Sequence, residues 1–346
     1  METQERVIYY DFLNIGACFC VVAMHCNWIV HRFENTIAWK QSLLVDVIAY
    51  WAVPVFFMLS GATLLEYRKK YSTKIFFEKR IVKTVIPFVI WNLIAFADQV
   101  RQGVINLEEF TVPQFVEMFF GTKFMGIYWF FIPLFMVYLS IPILSLFTTL
   151  LSRKYLWYML CAGLATYSIL PFIFNAFGMA YNYQIAFPMT GGYIVFVILG
   201  YLLSVTDIPP KVRYLIYLAG FIGAVSRYAG TYILSIKAGE INTLFSEYIN
   251  WPSVSLSVAV FVWFKYFKWE KFKFNKRMLK IVSEISGAGF GIYLLHMYII
   301  NFLCEKLNIA GYSWVWRVFG PVVVYIMALV IVKCIQKIPV VRKAVP

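Results

Sequence analysis

An all-α membrane bundle is the fold class this sequence predicts, and three observations predict it. Hydrophobic residues make up 62% of the 346-residue chain and charged residues only 14%, where a soluble domain carries roughly a quarter charged residues. The mean hydropathy is +0.73. Apolar runs long enough to cross about 30 Å of hydrocarbon recur through the whole length, with basic residues gathered at their ends. In lipid a single span can satisfy its own backbone groups only as a helix, so each run is read as one.

The runs fall near 8–30, 43–66, 81–98, 127–151, 156–175, 185–205, 213–236, 250–267, 285–303 and 314–335. The first carries Asp11 and Asn14 and has no small-residue cleavage site after it, so it reads as a retained span, not a signal peptide. With a cytoplasmic N-terminus, twenty-three of the 31 basic residues lie inside and six outside. That bias predicts ten helices with both termini cytoplasmic. An odd count would put one of two loops of seven basic residues, Arg68–Lys83 or Lys265–Lys280, on the wrong side. The same clustering accounts for the net charge of +14 through topology and anionic lipid, not nucleic acid. The loop near 99–126 contains VPQFVEMFF, which reads as a short interfacial helix. Residues 1–346 are expected to be a single multi-pass domain of the inner or plasma membrane, with no appended soluble domain.

His25 is the first candidate for chemistry. It is one of three histidines and lies inside the first span, where an ionisable group is costly and by default functional. Its imidazole can exchange a proton near neutral pH. At about 100° per residue, Asp11, Asn14, Cys18 and His25 share a narrow stripe that must face protein or a polar cavity. The cysteines nearby suggest a metal, but Cys18 and Cys20 point about 200° apart on a helix and cannot converge on one ion. No metal is expected.

Arg80 and Lys83, three apart at the mouth of the third span, share a face on a regular helix and can hold a phosphate; from composition alone, ordinary positive-inside residues snorkelling to the headgroups is the better reading. Ser60 in VPVFFMLSG reads as bonding back to its own helix. Asp46 is a better partner for a hydroxyl or a cation. Arg227, near mid-span in the seventh run, needs an internal partner or a polar cavity. Gly220 and Ala224 beside it read as close helix packing. In SEISGAGFGIYLLHMYIINFL the glycines Gly287, Gly289 and Gly291 read as a closely packed or flexible helix start. His296 is open to either a supporting or a catalytic role, and His31 is interfacial.

The segments YYDFLNIGACFCVVAMHCN, VPVFFMLSGATLL, KIFFEKRIVKTVIPFVIWN, YWFFIPLFMVYLSIPIL and SEISGAGFGIYLLHMYII, in this order and spacing, resemble the acyltransferase-3 family of integral membrane acyltransferases. The look is closest to the surface-glycan O-acetyltransferases of the enterobacterial common antigen type. The resemblance implies transfer of an acyl group, usually acetyl from acetyl-coenzyme A, to a hydroxyl of a glycan or lipid-linked sugar. The family's essential histidine falls on His25 and its basic pair on Arg80 and Lys83. Lys83 departs from the usual arginine and loses bidentate phosphate geometry. The first span departs too: it reads Tyr10-Asp11-Phe12-Leu13-Asn14 where the family commonly ends this motif in arginine, with Arg6 a turn or more away.

His25 lies about 25 Å along its helix from residue 8, toward the outer side, while Arg80 and Lys83 sit at the inner mouth. A coenzyme A thioester could bridge that distance, its phosphates on the cations and its pantetheine arm threading inward. His25 is then expected to act as general base on the acceptor hydroxyl or to relay the acyl group covalently. Asp11 or Asn14 would polarise the cavity, and Arg227 or Trp129 would line the acceptor side. The competing class is a glycan or lipid transporter without chemistry, which buried charges in ten spans also suit. Against it stands the lack of any inverted repeat.

Overall fold

The computed structural model describes residues 7–339 and 341–346. Arg6, one of the cations counted inside, lies outside the described residues. Among the described residues the regular structure is helical throughout, with no strand.

Helix α1 (Ile8–Cys26) is followed by α2 (Ile37–Ala49) and α3 (Ala52–Leu64), which break at Tyr50 and Trp51 inside the expected second span. The third span is α4 (Thr73–Arg80), a π turn (Ile81–Val85) and α5 (Ile86–Arg101). Next come α6 (Val112–Phe120), the short helix expected in the 99–126 loop, and α7 (Phe131–Leu144). Thr111 and Gln114 cap α6 reciprocally. A second π turn (Leu164–Ile169) joins α8 (Arg153–Gly163) to α9 (Leu170–Ala176). Both π turns precede a proline at the second position of the next helix, Pro87 and Pro171. A proline removes one backbone donor and crowds the preceding turn, and the wider π turn accommodates both effects. The chain ends with α10 (Ile194–Val205), α11 (Pro210–Ala238), α12 (Trp251–Tyr266), α13 (Lys276–Lys306) and α14 (Trp314–Gln336).

Among the described residues, seven helical stretches are long and apolar enough to cross a membrane: Ile8–Cys26, Ile37–Lys69, Thr73–Arg101, Gly126–Phe147, Arg153–Ala176, Lys276–Lys306 and Trp314–Gln336. The remaining three of the ten expected segments fall short for separate reasons. Helix α10 has 12 residues, about 18 Å of rise, and α12 has 16, about 24 Å. Helix α11 is long enough at 29 residues, but Arg227, its tyrosines and its glycines lower its hydropathy.

Helix α1 is the hub. It packs against α2, α3, α12, α13 and α14, and its two faces serve two cores. Leu13, Ala17, Val21 and Met24 join a cluster with α3, α7, α10 and α12, while Cys18, Val22 and Cys26 join one with α5, α13 and α14. Helices α3 and α10 meet backbone to backbone. A methyl group on Gly61 would sit 1.9 Å from the Val197 carbonyl oxygen, and one on Gly200 would sit 2.1 Å from that of Met58. The glycines of the ninth run lie well inside α13, which begins at Lys276 under an Asn275 cap. None of them is a helix start: Gly289 packs toward α1 and Gly291 toward α14, while Gly287 borders open space.

Candidate active site

A cavity of about 290 Å³ lies between α1, α3, α7 and α13, along the seam between the two cores. Asn14, Thr63, Arg80 and Ser286 line one end; His25, Val53, Trp129 and Tyr248 line the other. Asn14 and His25 are eleven residues apart, so the cavity follows α1 for about 16 Å.

The polar stripe of α1 faces α13. The Asn14 side-chain amide donates to the Ser286 carbonyl at 2.8 Å and to its hydroxyl at 3.2 Å. The Cys18 thiol approaches the Gly289 carbonyl at 3.4 Å. Two turns further along, His25 Nδ1 lies 2.8 Å from Nε2 of His296. Asp11, on the same helix, is buried and does not line the cavity.

The histidine pair has a defined proton order. His296 is fully buried, and its Nδ1 lies 2.7 Å from the Tyr293 carbonyl and 3.2 Å from that of Ile292. A carbonyl oxygen only accepts, so Nδ1 of His296 carries the proton, and in the neutral ring Nε2 is then the acceptor. Nδ1–H of His25 must donate to it. That leaves the lone pair of His25 on Nε2, in a half-buried ring that lines the cavity. The sequence shows both histidines, but nothing in it pairs residues 271 positions apart.

At the polar end, Arg80 is half-buried and lines the cavity. Its guanidinium lies over the rings of Phe76 and Tyr138, at 5.7 Å and 5.5 Å, and its Nε is buried without a hydrogen-bond partner. Lys83 is exposed and outside the lining. The shared face expected of a regular helix is not presented to the cavity, because residues 81–85 form the π turn, which advances less per residue than an α-helix. Ser60 lines the cavity, but its hydroxyl donates to the Phe56 carbonyl of its own helix at 3.0 Å.

Behind the aromatic end stands a buried ion pair. Arg227 Nη2 and Asp46 Oδ2 are 2.9 Å apart, with side chains only 6% and 9% exposed. The guanidinium also stacks over Tyr50 at 3.3 Å and donates to the Phe245 carbonyl. Tyr50 stacks on Tyr248, which stacks on Trp129. Asp46 and Arg227 therefore buttress the wall that Tyr248 and Trp129 present, without lining the cavity themselves. Sequence reasoning missed Tyr248, which sits in an irregular loop with no period to read. It also missed Tyr293 and Ser286, both within the quoted ninth-run segment.

Chemically, the cavity offers an imidazole nitrogen with a lone pair at one end and, at the other, a guanidinium whose Nε has no hydrogen-bond partner, joined by largely apolar walls. A match to the family description "Acyltransferase domain" covers residues 7–334, almost the whole length of the chain. No curated protein and no solved structure matches it. Since that match takes in every helix from α1 into α14, the chain belongs to the acyltransferase-3 family of integral membrane acyltransferases.

Proposed function

We propose that this membrane acyltransferase is an O-acetyltransferase of the cell membrane, moving acetyl from cytoplasmic acetyl-coenzyme A to a hydroxyl of a surface polysaccharide or lipid-linked sugar. The observation that carries the reading is the proton order of the histidine pair, which leaves Nε2 unprotonated on a His25 ring that lines the cavity. The acceptor hydroxyl gives its proton to Nε2 while its oxygen attacks the thioester carbonyl carbon. The C–S bond of the resulting tetrahedral intermediate then breaks, and the leaving thiolate takes the proton back from the imidazolium. Throughout, Nδ1–H of His25 keeps its acceptor on His296. Arg80 supplies a charge-assisted contact for the donor phosphates, and Lys83 adds charge nearby without lining the cavity. Trp129 and Tyr248 give the sugar an aromatic wall.

The test is transfer of labelled acetyl from acetyl-coenzyme A to glycan by the purified protein. His25→Ala is expected to lose about 10²–10⁴-fold in rate while remaining folded. Arg80→Ala is expected to raise the donor KM more than the acceptor KM. Wild-type turnover in His25→Ala would discard the base assignment, and an unchanged donor KM in Arg80→Ala would move the phosphate anchor elsewhere.

A further inference from the structure

A second cavity, of about 550 Å³, lies between the start of α11, the end of α12 and the loop that follows, and shares no lining residue with the first. We infer that it is a binding site for the phosphate of an anionic phospholipid. Three cations surround it, Arg213, Lys268 and Lys271, between walls that include Tyr217, Trp263 and Phe272. Among the described residues none of the three is in an ion pair, and Nε of Arg213 is buried without a hydrogen-bond partner.

The groove is built rather than incidental. Arg213 lies flat on Tyr266, 4.1 Å from the ring centre. Tyr266 is held at its hydroxyl, which donates to Asp207 at 2.8 Å and accepts from the Ile208 N–H at 2.5 Å. That contact occupies one oxygen of Asp207, which forms no ion pair with any of the three cations. Lys265, one residue before, ties α12 to the end of α10 by donating to the carbonyls of Leu203 and Thr206 at 2.8 Å and 2.6 Å.

The choice of lipid rests on what adjoins the cations. Tyr214 lines the groove, and from it an exposed stripe continues along α11 through Leu218 (54% exposed), Phe221 (67%) and Val225 (49%). The spacing of four, three and four residues puts them on one helix face. A phosphate held by Arg213 and the two lysines would thus have acyl chains beside it on an apolar stripe, at the end of the helix where the charge pattern places the anionic leaflet. A soluble nucleotide presents the same phosphate but has nothing to lay on that stripe.

Retained lipid on protein released from nanodiscs of equal phosphatidylglycerol and phosphatidylcholine, read by native mass spectrometry, decides the matter. The wild type is expected to favour phosphatidylglycerol by roughly fivefold or more. The double variant Lys268→Ala/Lys271→Ala, at two exposed loop positions, and the single variant Arg213→Gln are expected to fall to parity. Parity in the wild type, or an undiminished preference in the variants, would overturn the site. Displacement of the lipid by adenosine 3′,5′-bisphosphate would reassign the groove to a soluble nucleotide. None of these readouts depends on acyl transfer.

Discussion

Replacing His296 separates the two jobs of its ring: Nε2 accepts from His25, and Nδ1 donates to the carbonyls of Tyr293 and Ile292. His296→Leu removes the acceptor, so the His25 ring loses both its orientation and its proton order. The expected result is a fall in kcat of roughly 10²-fold or more, with both KM values unchanged. His296→Gln can place an oxygen where Nε2 stood and is expected to recover part of the rate. Equal losses in the two variants would reduce His296 to a packing residue. At this scale the sequence was informative wherever membrane depth makes a polar group costly, which is why His25, Asn14 and Arg227 stand out by type alone, while Arg80, at the mouth, stood out only through the family resemblance. Their partners were not legible. His296 pairs with His25 across 271 positions, and Asp46 with Arg227 across 181. Lys83 illustrates the reverse problem, since a three-residue spacing locates a face only where the helix is regular.

The ion pair of Asp46 and Arg227 is also the tie between α2 and α11, and its energetics belong to those elements. Breaking a buried pair strands one charge. Asp46→Asn is therefore expected to cost about 3–5 kcal/mol, read as a lower Tm in detergent. Asp46→Leu/Arg227→Met removes both charges and is expected to stand closer to the wild type than either single change. A single variant as stable as the wild type would show that the pair does not hold the helices. Hydropathy located the helices of the bundle, and the amphipathic pattern of VPQFVEMFF located α6. The break at Tyr50–Trp51 and the two π turns were hidden, because each reflects local backbone accommodation inside an unbroken apolar run.

For the whole molecule, the position of the loop after α12 distinguishes two topologies. Ten crossings place Lys271 on the same side as Lys74; if only the seven long apolar stretches cross, the two lie on opposite sides. The charge pattern favours the first. In a chain without its native cysteines, Lys271→Cys and Lys74→Cys are expected to escape a membrane-impermeant maleimide on intact cells, while Lys237→Cys is labelled. Labelling of Lys271→Cys alone with Lys237→Cys would reduce the crossings to seven. The seven-helix alternative also has to explain why α10, buried along nearly its whole length against α3, would rest outside the hydrocarbon.

The tie between α2 and α11 has a consequence for biogenesis. Asp46 and Arg227 are 181 residues apart, so at about 5–20 residues per second a ribosome makes the carboxylate roughly 10–35 s before the guanidinium. For that interval Asp46 lacks its guanidinium partner, and Tyr248, which stacks on Tyr50 in front of that pair, has yet to be made. The first half of the chain can enter the membrane during synthesis, but the aromatic end of the cavity closes only when the second half arrives. An enzyme assembled in that order completes its aromatic wall only after α11 and the loop that carries Tyr248 have been made.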